Sequence, residues 1–238
     1  MKTLAILAET ILLIAMLLSP ASAQVLSERL VYDVTWSGIK AGTAVLEVTA
    51  QGDGSRIINT IHSEGLVSTF FRVDDRTESV VSRDGRPKFF SVNNKEGKHR
   101  ARREVTFDFA SLHADSRDLQ NNTRKRDHIS ARTYDNVSSI YFIRSIELTP
   151  GQVVLFDIYD AKRLWKAEMR VVKRQEVATA VGTFKTLMVT SSLTHNGVAA
   201  PVGNTTFWFT DDSRRIPVKI TTKLRVGDMT LTLSAASP

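Results

Sequence analysis

Two short segments carry the polar residues best placed to do chemistry. Asp74-Asp75-Arg76 follows Phe70-Phe71, and Asp211-Asp212-Ser213-Arg214-Arg215 follows Phe207-Trp208-Phe209. In each, an aromatic stretch ends on two carboxylates, and basic residues lead into the next strand. Paired carboxylates can share a proton for acid–base work or hold a hard cation through oxygen. Neighbouring residues on a strand point to opposite faces, so such carboxylates converge only where the backbone turns. No histidine or third carboxylate accompanies either pair at a recognisable spacing. The structural alternative is an Asx-type turn in which an Asp–Arg pair braces a strand reversal. Asp74, Asp75, Arg76, Asp211, Asp212 and Arg215 are read as such turn pairs, and no catalytic residue is assigned.

Other catalytic signals are missing. The histidines are His62, His99, His113, His128 and His195, and no two stand at the i, i+2 or i, i+4 spacing of a local metal site. No GxSxG elbow and no phosphate-cradling glycine loop is present. The absence of cysteine removes thiolate zinc sites, iron–sulfur clusters, disulfides and cysteine nucleophiles together. No metal and no cofactor is expected.

Binding chemistry has more support. The chain carries 32 Lys and Arg against 25 Asp and Glu, a formal charge of +7. Part of the excess lies between Lys95 and Arg103. If 100–109 is a strand, Arg100 and Arg102 share a face with Glu104, Thr106 and Asp108, while Ala101, Arg103, Val105, Phe107 and Phe109 share the other. Arg124-Lys125-Arg126 and Lys162-Arg163 add further charge. Such a surface suits an anionic partner: lipid headgroups, lipopolysaccharide phosphates or an acidic glycan. The plain alternative is a soluble surface rich in lysine and arginine. Nucleic acid is not expected, because no recognition motif is present and export would separate the two. The aromatic residues, Trp36 and Trp208 among them, fall on strand faces that could fill a barrel or line a hollow one. Arg100, Arg102, Trp36 and Trp208 are therefore the candidate ligand-binding residues.

The elements that must position these groups are mostly strands. Residues 1–23 read as a signal peptide: Lys2 precedes an apolar run ending at Leu18, then come Pro20 and the small-x-small Ala21-Ser22-Ala23. The uninterrupted apolar core, Ile11–Leu18, is far shorter than the ~20 residues that span a bilayer. Cleavage after Ala23 would leave 215 of the 238 residues with no transmembrane anchor and a periplasmic address. Beyond it, period-two alternation dominates. Tyr32, Val34 and Trp36 share a face. Thr43–Ala50 and Arg56–Glu64 flank a Gly52-Asp53-Gly54 turn. Further strands are expected at 76–82, 88–93, 100–109, 111–117, 153–159, 164–175, 184–194, 204–210, 216–224 and 227–234. One short helix is expected near 136–146, where Val137, Ile140, Tyr141, Ile143 and Ile146 recur at helical spacing behind Asp135 as N-cap. The polar stretch Gln120–His128 reads as a loop, with a soft boundary near 118–130. The expected fold is all-β: one antiparallel domain over 24–238, a long curved meander or open barrel carrying one helix.

Several segments together resemble a known family. VYDVTWSGIKAGTAVLEV, STFFRVDDRTESVV, the helix YDNVSSIYFIRSI, LTPGQVVLFDIYD, VVKRQEVATAVGTFKTLMV and FWFTDDSRRIPVKITTKLRVGDMTLTL are similar, in order, to the bacterial domain-of-unknown-function 3108 family over roughly residues 28–234. The resemblance implies an exported envelope protein with a mostly antiparallel β fold and no established activity. It supplies no catalytic residues to carry over. The chain departs from the pattern around Thr194–Gly203. The resulting expectation is a non-enzymatic envelope protein that binds a lipid or other amphiphile in a curved-sheet cavity. The alternative is a structural or scaffolding module that binds glycan or an envelope protein.

Overall fold

The computed structural model describes residues 27–200, 204–224 and 227–237; the expected signal segment lies outside them. Eight strands come first: β1 (Glu28–Trp36), β2 (Ile39–Gln51), β3 (Gly54–Ser63), β4 (Asp74–Val81), β5 (Pro87–Glu96), β6 (His99–Asp108), β7 (His113–Asp118) and β8 (Thr123–His128). A six-residue helix, α1 (Gly65–Phe70), sits between β3 and β4. Then come β9 (Thr133–Tyr134), helix α2 (Ser138–Ser145), β10 (Val153–Tyr159), β11 (Leu164–Thr179), β12 (Gly182–His195), β13 (Val198–Ala199), β14 (Thr205–Thr210), β15 (Pro217–Leu224) and β16 (Gly227–Ser237).

All belong to one 16-stranded sheet in the order β8-β7-β6-β5-β4-β3-β2-β1-β16-β15-β14-β12-β11-β10-β9, with β13 on β12. Apart from β9, each half is a meander of antiparallel neighbours, and the halves join where β1 pairs with β16. The only parallel pair among the described residues is β9 with β10. The fold is thus mainly β, as expected of a curved meander or open barrel: one large sheet, almost wholly antiparallel, that is not closed. Two-residue turns match the strand twist: Ser37 and Gly38 both take positive φ (48° and 83°), as a type I′ hairpin requires.

Alternation places Leu30, Tyr32 and Val34 of β1 in the core, opposite Leu46 and Ala44 of β2 and Leu233 and Leu231 of β16. With them Ile57, Phe90 and Val105 form one apolar cluster. Phe156, Met169, Val171, Leu187, Val189 and Phe209 form a second, beneath α2. The helix bridges both: Val137 and Tyr141 pack on the first, Ile140 and Ile143 on the second. Asp135 caps it, since its Oδ1 accepts the N–H groups of Val137 and Ser138 at 2.8 Å each. Its Oδ2 accepts the Ser79 hydroxyl of β4 at 2.6 Å, tying helix to sheet.

Side chains draw the two sheet ends together. Tyr159 of β10 donates to Asp127 Oδ2 of β8 at 2.5 Å, approaches Ser116 Oγ of β7 at 3.2 Å, and meets Phe107 edge-on. Lys125 Nζ of β8 reaches the Lys162 carbonyl at 3.3 Å.

Two local expectations need correction. Residues 123–128 form β8 rather than a loop. The strand lies at the sheet edge with nearly every side chain in water, so it carries no apolar alternation to read. Its Arg124-Lys125-Arg126 also discourages pairing with another chain. Helix α1 was not expected, because six residues are too few to display a helical period.

Candidate functional site

The registers place the ends of β1, β3 and β5 and the starts of β2, β4 and β6 at one end of the sheet. Helix α1 lies there. Glu64, just before it, donates its N–H to the Ala41 carbonyl of β2 at 2.8 Å and accepts the Thr43 hydroxyl at 2.9 Å. Val67 packs on the core, and Leu66 and Phe70, one turn apart, face water at 76% and 87% exposure. Phe71 lies against Gly97 of the β5–β6 turn: a Cβ there would come within 2.9 Å of its ring, and Gly97 also takes φ +53°. Ile39 and Trp36, at the neighbouring β1–β2 turn, are exposed as well. The result is an apolar tip on five side chains. Exposed Arg72, Lys98 and Arg100 surround it; none is in a contact ion pair among the described residues, though Arg72 lies near enough to Asp74 to favour its charged form.

Beneath the tip lie the first acidic pair and its neighbours. Asp74 accepts Lys95 Nζ at 2.8 Å and stands 3.1 Å from His62 Nδ1. Asp75 faces the other way and accepts the Lys95 N–H at 2.8 Å. Burial pushes its pKa up to about 6; the Lys95 N–H works against that rise, and a hydrogen bond shared with Glu96 reinforces it. These residues stand within β4, not in a turn. Arg76 pairs with Glu78 at 3.3 Å rather than with either aspartate. The turn reading of Asp74, Asp75 and Arg76 is corrected accordingly: adjacent positions on a strand send the two carboxylates to opposite faces.

The second pair lies at the opposite end of the sheet. Asp212 Oδ1 accepts the N–H groups of Arg214 and Arg215 (3.0 and 3.1 Å) and the Thr210 hydroxyl (2.7 Å), an Asx-type turn. These bonds hold its carboxyl below the usual range against the opposing effect of burial. Asp211 reaches Arg174 at 2.8 Å, and Arg215 donates to the Arg144 and Ser213 carbonyls. A cavity of about 150 Å³ borders this turn, lined by Arg174, Arg215, Asp211, Asp212 and Glu147 among others, with charges that largely cancel.

The four ligand-binding candidates do not form one site. Arg100 and Arg102 are exposed on β6, and Arg100 folds back onto the Gly97 and His99 carbonyls. Trp36 belongs to the apolar tip. Trp208 is on β14, three strands from β1 in the other half, half-buried under Lys219, and its Nε1 has no hydrogen-bond partner among the described residues. Among the histidines the fold pairs His113 with His128, ring centres 5.6 Å apart. Among the described residues no three His, Asp or Glu side chains gather as a metal site would need. The residues that sequence reasoning missed are those of α1. Leu66 and Phe70 at i, i+4 were the available signal, hidden by the brevity of the helix.

The fold has solved counterparts. A β-barrel-like protein of the domain of unknown function DUF1849 from Brucella abortus matches with a TM-score of 0.65 over 90% of this chain and 98% of that one, at 14% identity, a likeness of fold alone. A candidate lipoprotein from Parabacteroides distasonis matches with a TM-score of 0.35 and 10% identity over 89% of this chain and 95% of its own. A candidate exported protein with a YmcC-like fold from Bacteroides fragilis matches with a TM-score of 0.34 and 8% identity over the same shares. No helix among the described residues is long and apolar enough to cross a membrane. No curated protein matches in sequence. The family model described as a protein of unknown function, DUF3108, matches residues 31–234, most of the chain, and the chain belongs to that family.

Proposed function

We propose that this chain is a non-catalytic extracytoplasmic protein that docks on an anionic lipid surface through the α1 end of its sheet. The observation that carries the reading is the apolar tip, with Leu66 at 76% and Phe70 at 87% exposure on a helix anchored by Val67. Exposed apolar side chains grouped at one end and rimmed by charge are a usual mark of an interaction surface. Burying Leu66 and Phe70 in the headgroup–acyl boundary would contribute about 1.5–3 kcal/mol each. Arg72, Lys98 and Arg100 would each add about 1 kcal/mol against anionic headgroups. The signal-like N-terminus supports an extracytoplasmic address.

The amphiphile belongs at this tip rather than inside the sheet. Leu30, Ile57, Phe90, Val105 and Leu233 fill the first core cluster at 0–2% exposure. Flotation of the mature protein with vesicles of graded phosphatidylglycerol content tests the reading. The native protein should float in proportion to anionic content and less as salt rises, since charges beyond about 8 Å are screened at ~0.15 M. The variant Leu66→Ser/Phe70→Ser should stay at the bottom while remaining folded. Equal flotation of the two proteins at every composition would sink the proposal.

A further inference from the structure

Near the same end of the sheet, at the seam where the β7–β8 edge meets the β10–β11 turn, lies a cleft of about 190 Å³. Its lining includes Arg103, Arg124, Lys125 and Lys162 with the hydroxyls of Ser116 and Thr123. One carboxylate, Asp118, faces these four cations, and its oxygens are already engaged. Oδ1 accepts the N–H groups of Gln120 and Asn121 at 3.0 Å each, and Oδ2 accepts Asn121 Nδ2 and Arg103 Nε at 3.2 Å each. Burial opposes ionisation of Asp118, and these bonds outweigh it, so the carboxyl stays charged.

The cations are far less committed. The Arg103 side chain, 14% exposed, spends only its Nε on Asp118; its two terminal nitrogens have no hydrogen-bond partner among the described residues. Arg124 and Lys162 have no side-chain partner there either. Lys125 is turned to Asp127 at 2.7 Å and to the Lys162 carbonyl. A mostly buried arginine side chain whose guanidinium fork is unused and open to the cleft, beside two unpaired cations, suits an anion.

We propose that this seam cleft binds a phosphate group. The guanidinium fork matches two oxygens of a tetrahedral oxyanion, and charge-assisted bonds of this kind strengthen where water is partly excluded. The volume suits one such group and falls below the ~300–1,000 Å³ typical of organic ligand pockets. The phosphate can belong to a lipid headgroup or be free in solution. The assignment does not depend on the apolar tip.

Calorimetric titration of the mature protein with inorganic phosphate, at constant ionic strength set with chloride, tests it. The native protein should bind, and Arg124→Glu/Lys162→Glu, both at exposed positions, should bind about tenfold or more weakly with an unchanged melting temperature. Arg103→Lys, which keeps the charge and loses the fork, should also weaken binding. Flotation with phosphatidylcholine vesicles bearing phosphatidic acid, in the Leu66→Ser/Phe70→Ser background, separates the sources. Flotation abolished by Arg124→Glu/Lys162→Glu points to a lipid phosphate; phosphate binding without flotation points to a soluble one. No heat with phosphate in the native protein, or equal affinity in the native protein and the Arg124→Glu/Lys162→Glu variant, overturns the proposal.

Discussion

At the end of the sheet where β1 begins, α2 buries a charge pair; at the end where β1 stops, α1 leaves apolar side chains in water. Arg144 of α2 grips Glu28 of β1 with two bonds, 2.6 and 2.7 Å, both side chains 7% exposed. Its Nε also reaches the Arg214 carbonyl, and Tyr141 donates to Glu28. Taking two ions out of water costs several kcal/mol each, and only tight, fully hydrogen-bonded geometry offsets it. That end is therefore bound up with the integrity of the fold. Leu66 and Phe70, by contrast, keep 76% and 87% of their surface in water, so they stabilise the fold little. Under the proposed docking, apolar area displayed in this way would be covered by the lipid surface, and the two ends would divide the work between holding the structure and meeting the environment.

The sharpest way to break this comparison is at the charge pair. Arg144→Ala should strand Glu28 and cost about 3–5 kcal/mol, seen as a large drop in the urea midpoint. Glu28→Gln/Arg144→Met should restore part of that loss. A well-folded single mutant of native stability would remove the distinction between the ends.

At the same end, Asp211→Ala/Asp212→Ala should cost about 1–2 kcal/mol, as the turn loses three bonds to Asp212 and the Arg174 pair. Lipid flotation of the folded fraction should not change.

Asp75 carries the comparison to the other end through pH. Its folded pKa, about 6, lies above the unfolded value near 4, so the folded state binds the extra proton. This stabilisation is present below pH ~4 and is lost as pH rises through about 6. Asp75→Asn should therefore stabilise the fold at pH 7.5 by about 1 kcal/mol, once solvent screening of a half-exposed group is allowed for, and the urea midpoint should rise accordingly. At pH 4 it should do little. A matching gain at both pH values would mean that the carboxyl does not titrate between them.

The smallest stability effect belongs to the tip. Leu66→Ser/Phe70→Ser should shift stability by no more than about 0.5 kcal/mol, as surface substitutions usually do. A large loss would show that α1 holds the fold together as α2 does.

Much of the architecture was legible in order along the chain. Alternation at Tyr32, Val34 and Trp36 marked β1, the Gly52-Asp53 turn marked a hairpin, and the helix expected at 136–146 runs from Ser138 to Ser145. Period two also placed Arg103 opposite Arg102, which the structure bears out: Arg102 is exposed, and Arg103 lies inward with Asp118. Local patterns work because a strand or helix must present one face to the core wherever that core lies. They fail where burial does not write the pattern, as in β8 with water on both faces, or where an element is too brief, as in α1.

What the tertiary structure alone decided is who meets whom. Pairing of β1 with β16 joins the two halves of the sheet. The Glu28–Arg144 bridge spans 116 positions, and the seam cleft draws cations from β6, β8 and the β10–β11 turn. Residue type and periodicity report which face a side chain takes. They carry no record of the neighbour on that face, because partners distant in sequence are chosen by the curvature and order of the whole sheet.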